Sequence, residues 1–177
     1  KSDREVICCP FCGRVEAERY RTSADIVRCL SCGTVYLRTR LNKEAMRRVY
    51  QSYADGPSHM ALPANGDAIK NSGLRRDYFL NELLEFTAPC GRLLDVGCGW
   101  GAFLDNARNR GFEVRGIEVT RKCVAFANEK LGIPVTDEPF EDVAFERGSL
   151  SVVTMLHVLE HLPEPLRAIE NAYRSLK

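Results

Sequence analysis

The sequence predicts an α/β fold, a parallel sheet with helices packed on it, preceded by a small cysteine-rich module. Three observations predict it. From residue 92 onward, short apolar runs alternate with stretches of helical periodicity, the rhythm of a parallel sheet. The first of those runs passes directly into Gly97-Cys98-Gly99-Trp100-Gly101 and then into a helical segment. Near the front, two Cys-x-x-Cys pairs stand sixteen residues apart.

The totals bound the answer. A chain of 177 residues with 45% apolar content has room for a small module and a larger domain. No apolar run approaches the roughly 20 residues of a membrane span. Lys1 to Glu5 is polar and lacks the apolar stretch of a secretion signal, so the expected compartment is the cytoplasm. The net charge of +1 hides an asymmetry: residues 1–48 hold eleven Lys/Arg against six Asp/Glu, and the rest fourteen against eighteen. Five of the eight cysteines crowd into residues 8–32, which in a chain without a secretion signal points to metal rather than disulfides.

In the front module, residues 1–40, Cys9-Pro10-Phe11-Cys12-Gly13 is answered by Cys29-Leu30-Ser31-Cys32-Gly33. Each pair presents two sulfurs from one tight turn, and the following glycine can take the positive φ that such a turn requires. Cys9, Cys12, Cys29 and Cys32 therefore make a tetrahedral four-sulfur site for one structural Zn2+, with no open position for catalysis. Four thiolates on zinc carry about −2, which the basic excess of the front offsets, so a nucleic-acid footprint is weak. Strand-like pieces in Glu18–Val27 and Thr34–Leu37 complete a zinc ribbon, and Cys8 is left as a bystander. A redox role for the pairs is the competing reading.

Residues 41–88 read as a connector. Met46, Val49, Tyr50 and Tyr53 recur on one face of a helix from about Asn42 to Ala54, for core packing or for covering a pocket. Asp55 to Gly73 reads as a loop, with His59 solvated within it. Helical spacing resumes from Leu74 to Phe86 through Tyr78, Phe79, Leu83 and Phe86.

Residues 89–177 carry the ligand motif. Arg92–Val96 is a strand, the glycine run is a turn that lets backbone approach a ligand, and Ala102 opens a helix. Phe112 to Val119 is a second strand ending at Glu118, placed to take both hydroxyls of a ribose. Thr120 caps a third unit that runs through Val124, Ala127 and Leu131 to Gly132 and the strand Ile133-Pro134-Val135. The loop also satisfies the Gly-x-Gly-x-x-Ala form of dinucleotide enzymes, a weak pattern by itself.

Asp95-x-Gly97-x-Gly99-x-Gly101 resembles motif I of class I S-adenosylmethionine (SAM)-dependent methyltransferases, and Leu159-Glu160-His161-Leu162 after the strand Leu150–Leu156 strengthens the likeness. The resemblance implies a Rossmann-like sheet that binds SAM. Asp95, Gly97, Cys98, Gly99 and Gly101 would line its methionine side, Glu118 and Val119 its ribose, and Leu156 the end of the fourth strand. Pro139, Phe140 and Glu141 are candidates beside the adenine. Leu150-Ser151 departs from the usual Phe-Asp.

His157, Glu160 and His161 have the spacing of one helix face. His157 or His161 is the candidate general base, with a divalent-metal trio or a structural junction as alternatives. The ribbon, the Tyr-bearing helix and the motif together resemble bacterial methyltransferases of sugar, polysaccharide and natural-product biosynthesis, implying a small-molecule or saccharide acceptor. The rivals are an RNA methyltransferase using Arg38, Arg40, Arg47 and Arg48, a catalytically inactive binding module, and an NAD-dependent oxidoreductase. Members of the resembled family continue into a Pro-Gly-Gly turn and three more strands, so the sheet is expected to be incomplete after its fourth strand and helix.

Overall fold

The computed structural model of the chain describes residues 2–20, 25–53 and 73–177. Among the described residues, five short strands build the front: β1 (Arg4–Val6), β2 (Ala17–Arg19), β3 (Ile26–Cys29), β4 (Val35–Leu37) and β5 (Thr39–Leu41). β2, β3 and β4 form an antiparallel sheet, and β1 pairs antiparallel with β5, so the entering and leaving strands lie side by side. The core between them is small: Cys9, Val27, Cys29 and Tyr36, with Ile7 and Ala17 packed against it.

α1 (Lys43–Tyr53) follows after a single residue. Asn42 caps it, its Oδ1 accepting from the Ala45 amide at 2.9 Å. Ala45 is buried, and Met46, Val49 and Tyr50 are half-buried on the face that the periodicity assigned to packing. The expected loop with His59 lies outside the described residues, except that its last residue, Gly73, opens α2 (Gly73–Phe86).

In α2 the buried face differs from expectation. Leu80 is fully buried and Leu83 and Leu84 pack beside it, while Tyr78 and Phe86 are 60% and 85% exposed. The reason is spacing. Leu80, Leu83 and Leu84 are an i, i+3, i+4 triplet that faces one side squarely, whereas Tyr78 and Phe86 fall off that side.

The remainder is a four-stranded parallel sheet: β6 (Arg92–Val96), β7 (Glu113–Ile117), β8 (Val135–Thr136) and β9 (Val152–Thr154), in the order β8-β7-β6-β9. Between the strands run α3 (Ala102–Asn109) and α4 (Arg121–Phe126), the latter continuing through a wider turn at Ala127–Leu131, and α5 (Pro165–Ser175) follows β9. Adjacent strand residues point to opposite faces, so Leu93 and Leu94 enter different cores. Leu93 packs with Leu80, Phe103, Leu104 and Ala107 beneath α2 and α3. Leu94 packs with Val96, Ile117, Phe140 and Ala168 beneath α5. Both faces are thus covered, as a parallel sheet demands. Beyond β9, Leu150 makes a parallel bridge with Leu176.

The strand order fixes where a ligand can sit. The chain moves outward from β6 to β8 and then returns to the other side of β6 as β9, so the topological switch point, where open α/β sheets bind their ligands, lies at the carboxyl ends of β6 and β9.

Candidate functional site

The front site is made by two matching turns. The Gly13 amide donates to the Cys9 carbonyl at 2.9 Å and the Gly33 amide to Cys29 at 3.0 Å, with φ of 70° and 76° at the glycines. Each turn buries its first cysteine and exposes its second. The four sulfurs all lie within 4.8 Å of one another, with Cys9 to Cys32 and Cys12 to Cys29 both at 3.5 Å. Zinc bonded to sulfur at about 2.3 Å in a tetrahedron puts neighbouring sulfurs about 3.8 Å apart, so the donor set has the size and chemistry for zinc. The thiols are already unequal. Cys32 is drawn down to about 6, chiefly by the Thr34 hydroxyl. Cys12 is pushed up to about 12: the Arg14 amide pulls it down, but desolvation and the other three sulfurs outweigh that. Among the described residues these four are the one group of three or more Cys, His, Asp or Glu whose donor atoms converge.

The second site lies at the carboxyl ends of β6 and β7. Asp95 is 3% exposed, and its Oδ1 accepts from the Thr154 hydroxyl of β9 at 2.7 Å, across the switch point. Sequence reasoning missed Thr154. The signal was its strand parity, which places it opposite Asp95 in the β6–β9 register. The glycine run turns away under constraint: Gly97, Gly99 and Gly101 have φ of 73°, 54° and 84°. At Gly97 a Cβ would stand 2.3 Å from Val158, so two independent restrictions exclude a side chain there. Cys98, in contrast, turns its side chain into the core, and a Cβ on Gly116 would strike its sulfur at 2.6 Å. Burial, with Asp95 and Glu118 nearby, pushes the Cys98 thiol well up, so it stays protonated and offers a ligand only backbone.

Glu118 is 5% exposed and ties two segments together. Its Oε2 accepts from the Gly99 amide at 2.9 Å and its Oε1 from the Thr120 amide at 2.8 Å. A carboxylate has about four lone-pair positions, so each oxygen keeps capacity for one hydroxyl donor. Val119 is half-buried beside it, and Leu156 packs partly against the core under α3. Thr120 occupies the N-cap position of α4 but makes no side-chain cap. The Arg121 amide donates instead to Gln51 Oε1 of α1 at 3.3 Å, a partner that no local signal foretold.

His157 departs from the helical expectation. It sits before the turn of helix at Leu159–His161, at φ 57°, so the trio does not share one helix face. Its ring is 82% exposed, with Nδ1 3.8 Å from Glu160 Oε1. His161 meets Tyr50 of α1 edge to face, centroids 6.2 Å apart. Phe140 turns into the core against Phe145 rather than toward the switch point, and Asn171 holds the Phe140 and Glu141 carbonyls.

Comparison with known proteins bears on the fold that carries the second site. Residues 94–177 match the family described as Methyltransferase domain. A ubiquinone biosynthesis O-methyltransferase of Ralstonia nicotianae is 34% identical over 94 residues, covering 49% of this chain and 40% of that protein. That of Chromobacterium violaceum is 35% identical over 80 residues, covering 42% and 34%. The chain thus spans about two fifths or less of the length of these curated relatives. Among solved structures, magnesium protoporphyrin IX methyltransferase from Synechocystis PCC 6803, with bound SAM, aligns at TM-score 0.55 and 16% identity over 72% of this chain and 70% of that one. The PH0226 protein of Pyrococcus horikoshii OT3 aligns at 0.54 and 20% over 73% and 59%. At such identities the structural likeness is one of fold. The parallel sheet and its helices therefore have the Rossmann-like methyltransferase fold, and the sequence match lies within residues 94–177.

Proposed function

We propose that the chain carries the cofactor-binding part of a SAM-dependent methyltransferase acting on a small-molecule hydroxyl, behind a structural zinc ribbon held by Cys9, Cys12, Cys29 and Cys32. The observation that carries the reading is the pair of buried carboxylates, Asp95 and Glu118, at the carboxyl ends of adjacent strands with the glycine run between them. Two buried acids suit a ligand rich in hydroxyl and ammonium donors and poor in phosphate. SAM, when bound, supplies an electrophilic methyl group on sulfur.

The residues divide the work. Glu118 takes the ribose hydroxyls on its remaining lone pairs. Asp95, oriented by Thr154, faces the methionine end, and Gly97, Gly99 and Gly101 keep side chains out of the way. Cys98 and Val119 contribute backbone, and Leu156 an apolar wall. Methyl transfer is an in-line displacement, so alignment and exclusion of water do most of the catalysis. A base is needed where the acceptor is a protonated hydroxyl. His161, beside Tyr50 on the rim, and His157 are the side chains proposed for it.

The acceptor class rests on the relatives' names, which specify O-methylation in ubiquinone biosynthesis; a saccharide hydroxyl belongs to the same chemistry. The RNA reading is weakened by the arginines it would need. Arg38 donates to the Val15 carbonyl, Arg40 pairs with Glu5, Arg47 with Asp137, and Arg48 with Asp3 and Glu44. Calorimetry of SAM binding to the zinc-loaded protein tests the proposal, with Asp95→Ala, Glu118→Ala and competing NAD. Binding lost in both variants and indifferent to NAD supports it. NAD binding in place of SAM overturns it.

A further inference from the structure

α1 touches the rim of the sheet at three successive loops. Gln51 reaches the loop after β7, Arg47 and Lys43 reach Asp137 and Asp142 after β8 at 3.9 and 3.6 Å, and Tyr50 meets His161 after β9. The charged pairs are exposed and worth little individually. Gln51 is different. Its Nε2 donates to the Val119 carbonyl at 2.6 Å while its Oε1 accepts from the Arg121 amide at 3.3 Å, so a single side-chain amide spans the backbone on either side of Thr120. From within, that same Thr120 amide holds Glu118 Oε1. The segment Glu118–Arg121 is therefore gripped from both sides, by its own carboxylate inward and by Gln51 outward. The Arg121 amide lies in the first turn of α4, where a backbone donor has no partner within the helix, and Thr120 leaves it uncapped.

We propose that Gln51 is a positioning residue for the cofactor, acting through Glu118, and that α1 thereby links the ribbon to the SAM site. This rests on the SAM-binding reading above. Gln51 touches no part of the carboxylate pair itself. It sets the backbone from which Glu118 projects, and a ribose diol held by two oxygens is sensitive to where both point. The connection to the ribbon is short, since Asn42 alone separates β5 from α1. The Arg40 guanidinium adds a second tie, donating to the Pro163 carbonyl at 3.0 Å and to Glu5 at 2.8 Å.

The test is a double-mutant cycle read by calorimetry of SAM binding on the zinc-loaded protein. Gln51→Ala is expected to weaken SAM binding about tenfold, the scale of two neutral hydrogen bonds partly replaced by water. In a Glu118→Gln background the same substitution is expected to add less than about twofold, because residues in one network are not additive. Gln51→Glu gives a readout that general loosening would not move. Its carboxylate repels the Val119 carbonyl at pH 8 but can donate to it once protonated, so its affinity relative to the parent recovers as pH falls toward 5. Ser52→Ala, on the same helix with its hydroxyl returned to the Val49 carbonyl, is the control expected to leave binding unchanged. Undiminished binding by Gln51→Ala, or full additivity with Glu118→Gln, overturns this inference alone. Absence of SAM binding by the parent protein overturns the reading beneath it, and this inference with it.

Discussion

The two halves of this molecule solve the same problem by different means. Among the described residues, the front, to Leu41, buries four principal core residues, two of them cysteines, between strands of three or four residues. The sheet that follows buries an apolar cluster on each face, with Leu80, Leu93, Leu94 and Leu104 all 0 or 1% exposed. A module of about 40 residues lacks the area to offset its chain entropy, so the proposed zinc is expected to supply what burial does not. The lesson is that each half should fail under a treatment that spares the other.

The largest expected effect is removal of the metal. Structural zinc binding is worth about 10–16 kcal/mol in small modules. Chelation, or Cys29→Ala, is expected to abolish protection of residues 2–41 against proteolysis while the thermal transition of the sheet persists. Loss of both together would show that the halves are one cooperative unit. The converse is Leu104→Ala, expected to destabilise the sheet by about 3–4 kcal/mol in urea unfolding, with zinc content unchanged.

A smaller effect separates the halves by pH. Burial, and then Glu118, pushes Cys123 up to about 12. A thiol whose folded pKa exceeds its unfolded value stabilises the fold below about pH 8.5 and loses that contribution as pH rises toward the folded value. The thermal midpoint of the sheet is therefore expected to fall between pH 8.5 and 10.5, and to fall less steeply in Cys123→Ala. Smallest is the effect at the exposed end of α2. Phe86→Ala is expected to cost less than about 0.5 kcal/mol because the ring is 85% exposed, while Leu80→Ala costs about 2–4 kcal/mol by the same measurement.

How much of this was legible in the sequence follows from range. The cysteine turns, the bounds of β6, and the positive φ at Gly13 and Gly33 are local properties that the motif spacing announced, as it announced a glycine turn after β6 without the left-handed conformation of Gly97, Gly99 and Gly101. The acid at the end of β7 was legible because strand, turn and helix lengths fix its distance from Asp95. The face of α2 was misread because aromatic residues were given more weight than the aliphatic triplet. His157 was placed on a helix because spacing does not reveal that the chain first takes a left-handed turn. Gln51 and Thr154 were invisible for another reason. Each matters only for a group 68 or 59 residues distant, and nothing in its neighbours marks it as polar for a purpose.

The order of the strands also sets a schedule. Pairing Leu93 with Val152 closes a loop of 59 residues, and β6 has no partner on that side until β9 has been made. The contacts of the ribbon span far fewer residues between its two cysteine turns, and domains that emerge first during synthesis fold first. The front module therefore closes before the sheet does, and α1 is anchored at its front end before the rim it grips exists. Were that module to close late, the later strands would reach a nascent chain whose clamp has no fixed base.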